Sequence, residues 1–429
     1  MRFVDRVIRG TRLWKSVVGA AIATAFLTTG AEVANAQGYV YVGTNEAGLP
    51  GYNGVRIYHR DARGFLSELP SSPVATFGTG THPTAALNLS TLGPFDSDQC
   101  LILDDKSSRL FVTNSGSDSI AVFNVNAKGH LARVKGSPFP SQGINPSSVG
   151  LSKQGFLFVA NKDYDLGRPG FNPATRQGNY TSFKVNRTGQ LVPVPGSTIP
   201  AGPVGGVGPP NAVPSQMLIS KDGRVAFDAN FFGLTLRSFQ IDAQGRLHAA
   251  DSQTIPPPGG TNGLGLGVPL GLQIHPTQPI LYVGFVLDEA FGVYTFDQTG
   301  KLTFVKAVTG VGSGPCWFLT NAAGNRLYTS NNFDNSVSVF DISNPLNPVK
   351  MQQVTLAQGK AAASPFQLAL DKKGQFLHVV TQAATATQDP FLANGLNVLK
   401  VLPDGRLVVV DFVPLPYADG SRPQGVAAQ

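Results

Sequence analysis

Apolar and polar positions alternate in short runs along the chain, and one run returns seven times: VYVGT (40–44), LFVTN (110–114), LFVAN (157–161), AFDAN (226–230), LYVGF (281–285), LYTSN (327–331) and LHVVT (377–381). The copies recur about every 56 residues between Tyr41 and His378, the mark of a repeat architecture. A second run follows each copy, with apolar residues three apart. One of its columns reads Val55, Ile120, Tyr180, Leu236, Val293, Val337 and Leu396; the other reads Tyr58, Phe123, Phe183, Phe239, Phe296, Phe340 and Leu399. Polar residues such as Arg56, Thr181, Arg237 and Ser338 fall between them, as in a strand packed against neighbouring sheets.

A turn ending in Gly-x-Leu comes next in six of the seven repeats, from Gly64–Leu66 to Gly405–Leu407; the sixth repeat replaces it with Asn344-Pro345-Leu346-Asn347-Pro348. The run ahead of each copy opens with proline at 146, 214, 269, 315 and 365, while the second repeat uses QCLIL (99–103). Each repeat thus predicts four short strands, a to d, with no helical period. Four-stranded units repeated seven times predict an all-β, seven-bladed β-propeller with four antiparallel strands per blade, since radial repetition protects the sheet edges. The first repeat lacks its own strand a, and the last residues, Pro423-Gln424-Gly425-Val426-Ala427, read as a strand a with nothing after it. The C-terminal strand is therefore expected to complete the first blade and close the ring.

Strands that run alternately down and up place the a-to-b and c-to-d turns on one face and the b-to-c and d-to-a loops on the other. The first set is short, as in SKQG, SKDG, DARG and NAKG, and the second holds the long stretches 71–98, 162–178, 197–213, 255–268 and 382–394. Long loops on one face of a rigid scaffold are where binding and catalysis concentrate. The site is expected on that face, at the mouth of the central channel; insertion tolerated without function is the alternative.

Composition and charge refine this picture. The chain has 429 residues, 42% of them hydrophobic and 14% charged, with 49 Gly and 32 Pro; this is too apolar for a disordered polymer and rich in tight turns. A formal charge of +7 suggests a polyanion partner, but Arg2, Arg6, Arg9, Arg12 and Lys15 precede an apolar run (Val17–Leu27) and a small-x-small site, Ala34-Asn35-Ala36. That order is the pattern of a signal peptide over 1–36, so export to the periplasm or exterior is expected, with residues 37–429 as one domain. An uncleaved anchor is the alternative, against which the apolar run is short. The charge left after cleavage implies no nucleic-acid partner, and with the signal removed no membrane insertion is expected.

Stretches such as PCWFLTNAAGNRLYTSNNFDNSVSVFDI (315–342), with the apolar-aromatic-Val-x-Asn strand and the Gly-x-Leu turn, resemble the seven-bladed propeller lactonase family. That family includes 6-phosphogluconolactonase-like hydrolases and 3-carboxymuconate-lactonising enzymes. The resemblance covers the chain after the leader and implies hydrolysis of a small lactone, such as a sugar lactone, without a cofactor. It also implies an Arg-His pair on one strand a, a His-x-His around an earlier proline and an Asn-Glu ending a strand b. This chain has Cys316-Trp317, Val213 with Ser215, and Asn331-Asn332 at those places, none of which supplies a titratable base.

Asp228 stands in a strand-b column that otherwise reads Val42, Val112, Val159, Val283, Thr329 and Val379. A carboxylate among apolar groups suits a catalytic acid or base, or else accepts hydrogen bonds from neighbouring donors. Gln216, Trp317, Gln367 and Gln424, just after the strand-a prolines, are expected to line the channel mouth, with Asn161, Asn230 and Asn331 ending strand b nearby. Amides and an indole suit a polyhydroxylated ligand, and Asn at a strand end is equally a common turn residue. The loop 162–178 brings Lys162, Asp163, Asp165, Arg168 and Arg176 to the same face, as a clamp for an anionic substrate or as a solvated loop.

Among the six histidines, only His82 lies in a loop on the long-loop face. His130, His248 and His275 belong to the other face, His378 replaces a core aromatic and His59 is placed after a strand c. No spacing suggests a metal site. Cys100 and Cys316 are expected to be unbridged, buried thiols. The competing functional class is a non-catalytic propeller that binds a ligand or a protein, and a third is a muconolactone-forming lyase.

Overall fold

The computed structural model describes residues 38–47, 53–82, 99–172, 174–202, 213–231, 233–255, 267–356, 363–383, 394–415 and 421–429. The expected leader, 1–36, lies outside them. The described residues form seven antiparallel sheets, and no helix among them is long and apolar enough to cross a membrane.

Each sheet is one blade, ordered a-b-c-d. In blade 4, for example, strand a (Leu218–Ile219) pairs with b (Val225–Asn230), b with c (Thr235–Ile241), and c with d (Leu247–Thr254). The ring closes as expected: Val426–Ala428 pairs antiparallel with Gly38–Gly43, placing Tyr41 opposite Ala427. A second lock sits on the short-turn face of the same seam. There the guanidinium of Arg60, from blade 1, meets the Asp371 carboxylate of blade 7 at 2.8 Å, both side chains almost fully buried.

The hydrophobic columns explain why blades stack. Val55, Ile120, Tyr180, Leu236, Val293, Val337 and Leu396 all have 0% exposure; each lies in its blade's strand c, as the second residue in six blades and the fourth in blade 5. The turn glycines of Gly-x-Leu have φ from 73° to 103°, a region that L side chains rarely adopt. At Gly245 a Cβ would also stand 2.4 Å from the Phe156 ring of the preceding blade.

Three details depart from the expected layout. In blades 1 to 3 the outer strand d is broken into two short pieces, so Val74–Ala75 and Ile199–Pro200, expected within loops, pair with strand c. Strand a of blade 4 is reduced to Leu218–Ile219 with an isolated bridge from Pro214 to Asn230. His59 lies inside strand c of blade 1 rather than after it.

Candidate functional site on the long-loop face

The strand-a residues form an inner ring that binds blade to blade. Gln99 Nε2 donates to Val149 O at 2.8 Å, and Met217 N–H donates to Ser148 Oγ at 2.9 Å. The amide of Gln216 brackets Leu272, accepting from its N–H at 2.7 Å and donating to its carbonyl at 3.2 Å. Gln367 Oε1 accepts from Val426 N–H at 3.0 Å, across the closing seam. Two of the four strand-a residues nominated for ligand contact therefore already hold neighbouring strands. Trp317 is buried in the apolar cluster that contains Leu270, Val286 and Phe366, and Gln424 is buried with Nε2 unpartnered.

The strand-b asparagines serve the connection to strand c. Asn161 Nδ2 donates to Asn179 Oδ1 at 2.8 Å and to Thr181 Oγ1 at 3.2 Å. Asn331 Nδ2 reaches Ser336 Oγ and Ser338 Oγ at 2.8 and 3.0 Å. Asn230 Oδ1 accepts from the N–H groups of Val213 and Gly233, both at 3.0 Å. A recurring sequence motif here reports a recurring local bracket.

Asp228 is completely enclosed. Its Oδ2 accepts from the Tyr180 hydroxyl at 2.7 Å and its Oδ1 from Ser215 N–H at 3.2 Å. Burial raises its pKa to about 7, against the opposing effects of the Tyr180 bond and the Arg237 charge. Burial likewise drives the Tyr180 phenol well upward, helped by the carboxylate beside it. Two polar departures from apolar columns, Tyr180 in blade 3 and Asp228 in blade 4, thus satisfy each other across one blade interface. Arg237, the register partner of Asp228 on strand c, lines a groove of about 920 Å³ on the outer side of that interface.

The accessible titratable pair lies elsewhere on the long-loop face. His82, in the connection from blade 1 to blade 2, sets Nδ1 2.6 Å from Asp165 Oδ2, and its backbone N–H donates to the same oxygen at 3.3 Å. Asp165 comes from the b-to-c loop of blade 3 and its side chain is 1% exposed, whereas that of His82 is 28% exposed. Segment 79–82 reaches it by crossing the b-to-c turn of blade 2: Gly116 N–H donates to Thr79 O at 3.0 Å, and Ser117 Oγ accepts from Thr79 N–H at 2.9 Å. Arg168 anchors the blade 3 loop to that turn through Gly116 O at 2.9 Å and Asp118 Oδ2 at 2.8 Å. Lys162 and Arg176 are buried in the same loop, the Arg176 guanidinium 5.1 Å from the centre of the Tyr164 ring.

This is a histidine held by a carboxylate at Nδ1, which leaves Nε2 to exchange a proton with a ligand. Sequence reasoning placed both residues on this face but not together, because 83 positions separate them. The one available signal was that no other histidine belongs to the long-loop face. Cys100 and Cys316 are buried thiols that form no disulfide. Among the described residues no group of three His, Cys, Asp or Glu could hold a metal ion.

Comparison with known proteins agrees with this architecture. Residues 272–389 match the family model described as lactonase, 7-bladed beta-propeller. This chain is similar to the lactonase-type seven-bladed propellers. A 6-phosphogluconolactonase of Pectobacterium atrosepticum is 20% identical over 308 residues, covering 70% of this chain and 79% of that protein. The periplasmic gluconolactonase of Pseudomonas aeruginosa superposes with a TM-score of 0.67 at 17% identity, over 91% of this chain and 99% of the other. A protein from Lactobacillus plantarum gives 0.64 at 16% identity, over 92% and 99%. At such identities the solved structures speak to the shared fold.

Proposed function

We propose that this protein is a hydrolase of small lactones, working on the long-loop face with His82 as its general base and Asp165 as the group that positions it. The observation that carries this reading is the 2.6 Å contact between His82 Nδ1 and a buried Asp165 carboxylate. Asp165 holds the imidazole in the tautomer with the proton on Nδ1, so Nε2 is the basic nitrogen. A water on Nε2 gives up its proton as its oxygen bonds to the lactone carbonyl carbon and the carbonyl π pair moves onto oxygen. When that pair returns, the ring C–O bond breaks. The imidazolium then delivers its proton to the departing alkoxide, leaving a hydroxy acid and neutral His82.

Lys162 is buried in the loop that supplies Asp165, and Arg168 fixes that loop in place through Asp118; the anionic lactones in the test below ask whether either also meets substrate. Asp228, enclosed between blades 3 and 4, works in this reading through the shape of the ring. The leader pattern over 1–36 supports export, tested by N-terminal sequencing of the protein recovered from its host.

The test is a panel of five- and six-membered lactones, neutral and anionic, with purified protein and His82→Gln. Turnover by the wild type that falls by about 10²–10⁴-fold in the variant supports the reading. Saturable binding with no turnover of any lactone places the chain among ligand-binding propellers instead.

A further inference from the structure

Beside His82, two buried hydrogen-bond donors have no acceptor. Asn45, in the b-to-c loop of blade 1, is 6% exposed and Thr81 is 1% exposed. Asn45 Nδ2 and Thr81 Oγ1 each lack a partner. Buried polar atoms in native proteins are nearly always paired; others without a partner occur at Ser215 and Asn230, and what sets this pair apart is its position on the segment that carries His82. The orientation of the Asn45 amide is fixed by chemistry: Oδ1 accepts from Thr81 N–H at 2.9 Å. An N–H can only donate, so the oxygen end is assigned and Nδ2 is the end left over.

The surrounding backbone is built to hold this arrangement. Asn45 has φ 52°, in the left-handed region, where strain in a non-glycine residue tends to collect at functional sites. A Cβ on Gly80 would stand 2.3 Å from the Asn45 carbonyl group and 2.6 Å from its Oδ1. Only glycine lets segment 79–82 press this close. Gly80 and Thr81 thus lie against Asn45, and the next residue in the chain is His82.

We infer that Asn45 Nδ2 and Thr81 Oγ1 are the donors that receive the carbonyl oxygen of the lactone as negative charge builds on it. This inference rests on the hydrolase reading and adds catalytic residues to it. Both donor atoms are sealed in the structure, so admission of the carbonyl oxygen takes a local shift of segment 79–82 as part of this proposal. Donors that meet the oxygen as charge builds on it act on the transition state more than on the bound ground state. Thr81 and His82 are adjacent in the chain, so one shift of this segment carries a donor and the base together.

The experiment uses the full mature protein, Asn45→Ala and Thr81→Val, with a lactone that the wild type hydrolyses. The expected result is a fall in kcat of about 10²-fold for Asn45→Ala and about 10-fold or more for Thr81→Val, with KM changed less than about threefold. A cyclic phosphonate that mimics the tetrahedral intermediate should lose affinity in step with kcat/KM, which a purely structural role would not produce. If Asn45→Ala fails to fold, Thr81→Val, similar in volume and lacking only the hydroxyl, carries the test. Turnover by both variants within threefold of wild type, while His82→Gln is inactive, overturns the donors and leaves the hydrolase reading standing. No lactone turned over by the wild type overturns both.

Discussion

Asp165 and Asp228 are both carboxylates with almost no exposure, 1% and 0%, yet they are placed to do different things. Asp228 faces a phenol that is itself sealed between blades 3 and 4, so its bonds end inside the protein. Asp165 faces an imidazole whose side chain is 28% exposed, so its influence reaches the surface of the long-loop face. The difference teaches that burial of a carboxylate is not by itself a sign of catalysis. What its partner can touch decides the matter.

The largest expected effect that sharpens this contrast is the loss of about 10²–10⁴-fold in kcat/KM for His82→Gln, with thermal unfolding close to wild type because the side chain is 28% exposed and glutamine can still donate to Asp165. The next concerns stability. Asp228 ionises at about 7 in the folded protein, against an ordinary value of 3.8. The folded state therefore holds a proton that the unfolded chain has already released. Its contribution is fully present below about pH 4 and is lost as pH rises to about 7, by up to a few kcal/mol. Denaturant unfolding should show this decline in the wild type, and Asp228→Asn should flatten it. An equal decline in the variant would mean that another group titrates.

Tyr180→Phe comes next. It removes the hydroxyl that bonds Asp228 Oδ2 at 2.7 Å, and a loss of about 1–3 kcal/mol is expected. Smallest is Gln367→Ala, which gives up the bond to Val426 N–H and should lower stability by about 1 kcal/mol while the seam stays closed through strand pairing and the Arg60–Asp371 pair.

How far the sequence announced these regions depends on the range of the contacts. The strands and the ring closure are local or periodic: a run such as LFVAN and its column partners Tyr180 and Phe183 lie within one repeat, and seven copies reinforce one reading. The broken outer strands of blades 1 to 3 escaped because their short second pieces, such as Val74–Ala75, carry no alternation to read. The Asp228 column was visibly anomalous, and so was Tyr180 among aliphatic residues; pairing the two needed only that adjacent blades face each other. Gln216 and Gln367 looked like ligand contacts because their amides are polar at the inner strand, and only coordinates reveal that the next blade's backbone occupies them. His82 and Asp165 meet because two loops cross over blade 2, and no periodicity encodes such a crossing.

The most direct measurement compares kcat/KM of Asp165→Asn and Asp228→Asn on the same lactone, each variant checked for an intact fold. With His82 as base, Asp165→Asn disturbs the imidazole tautomer and should fall by about 10²-fold or more, while Asp228→Asn should remain within about threefold of wild type. The reverse order, with Asp228→Asn inactive and Asp165→Asn near wild type, would contradict the assignment.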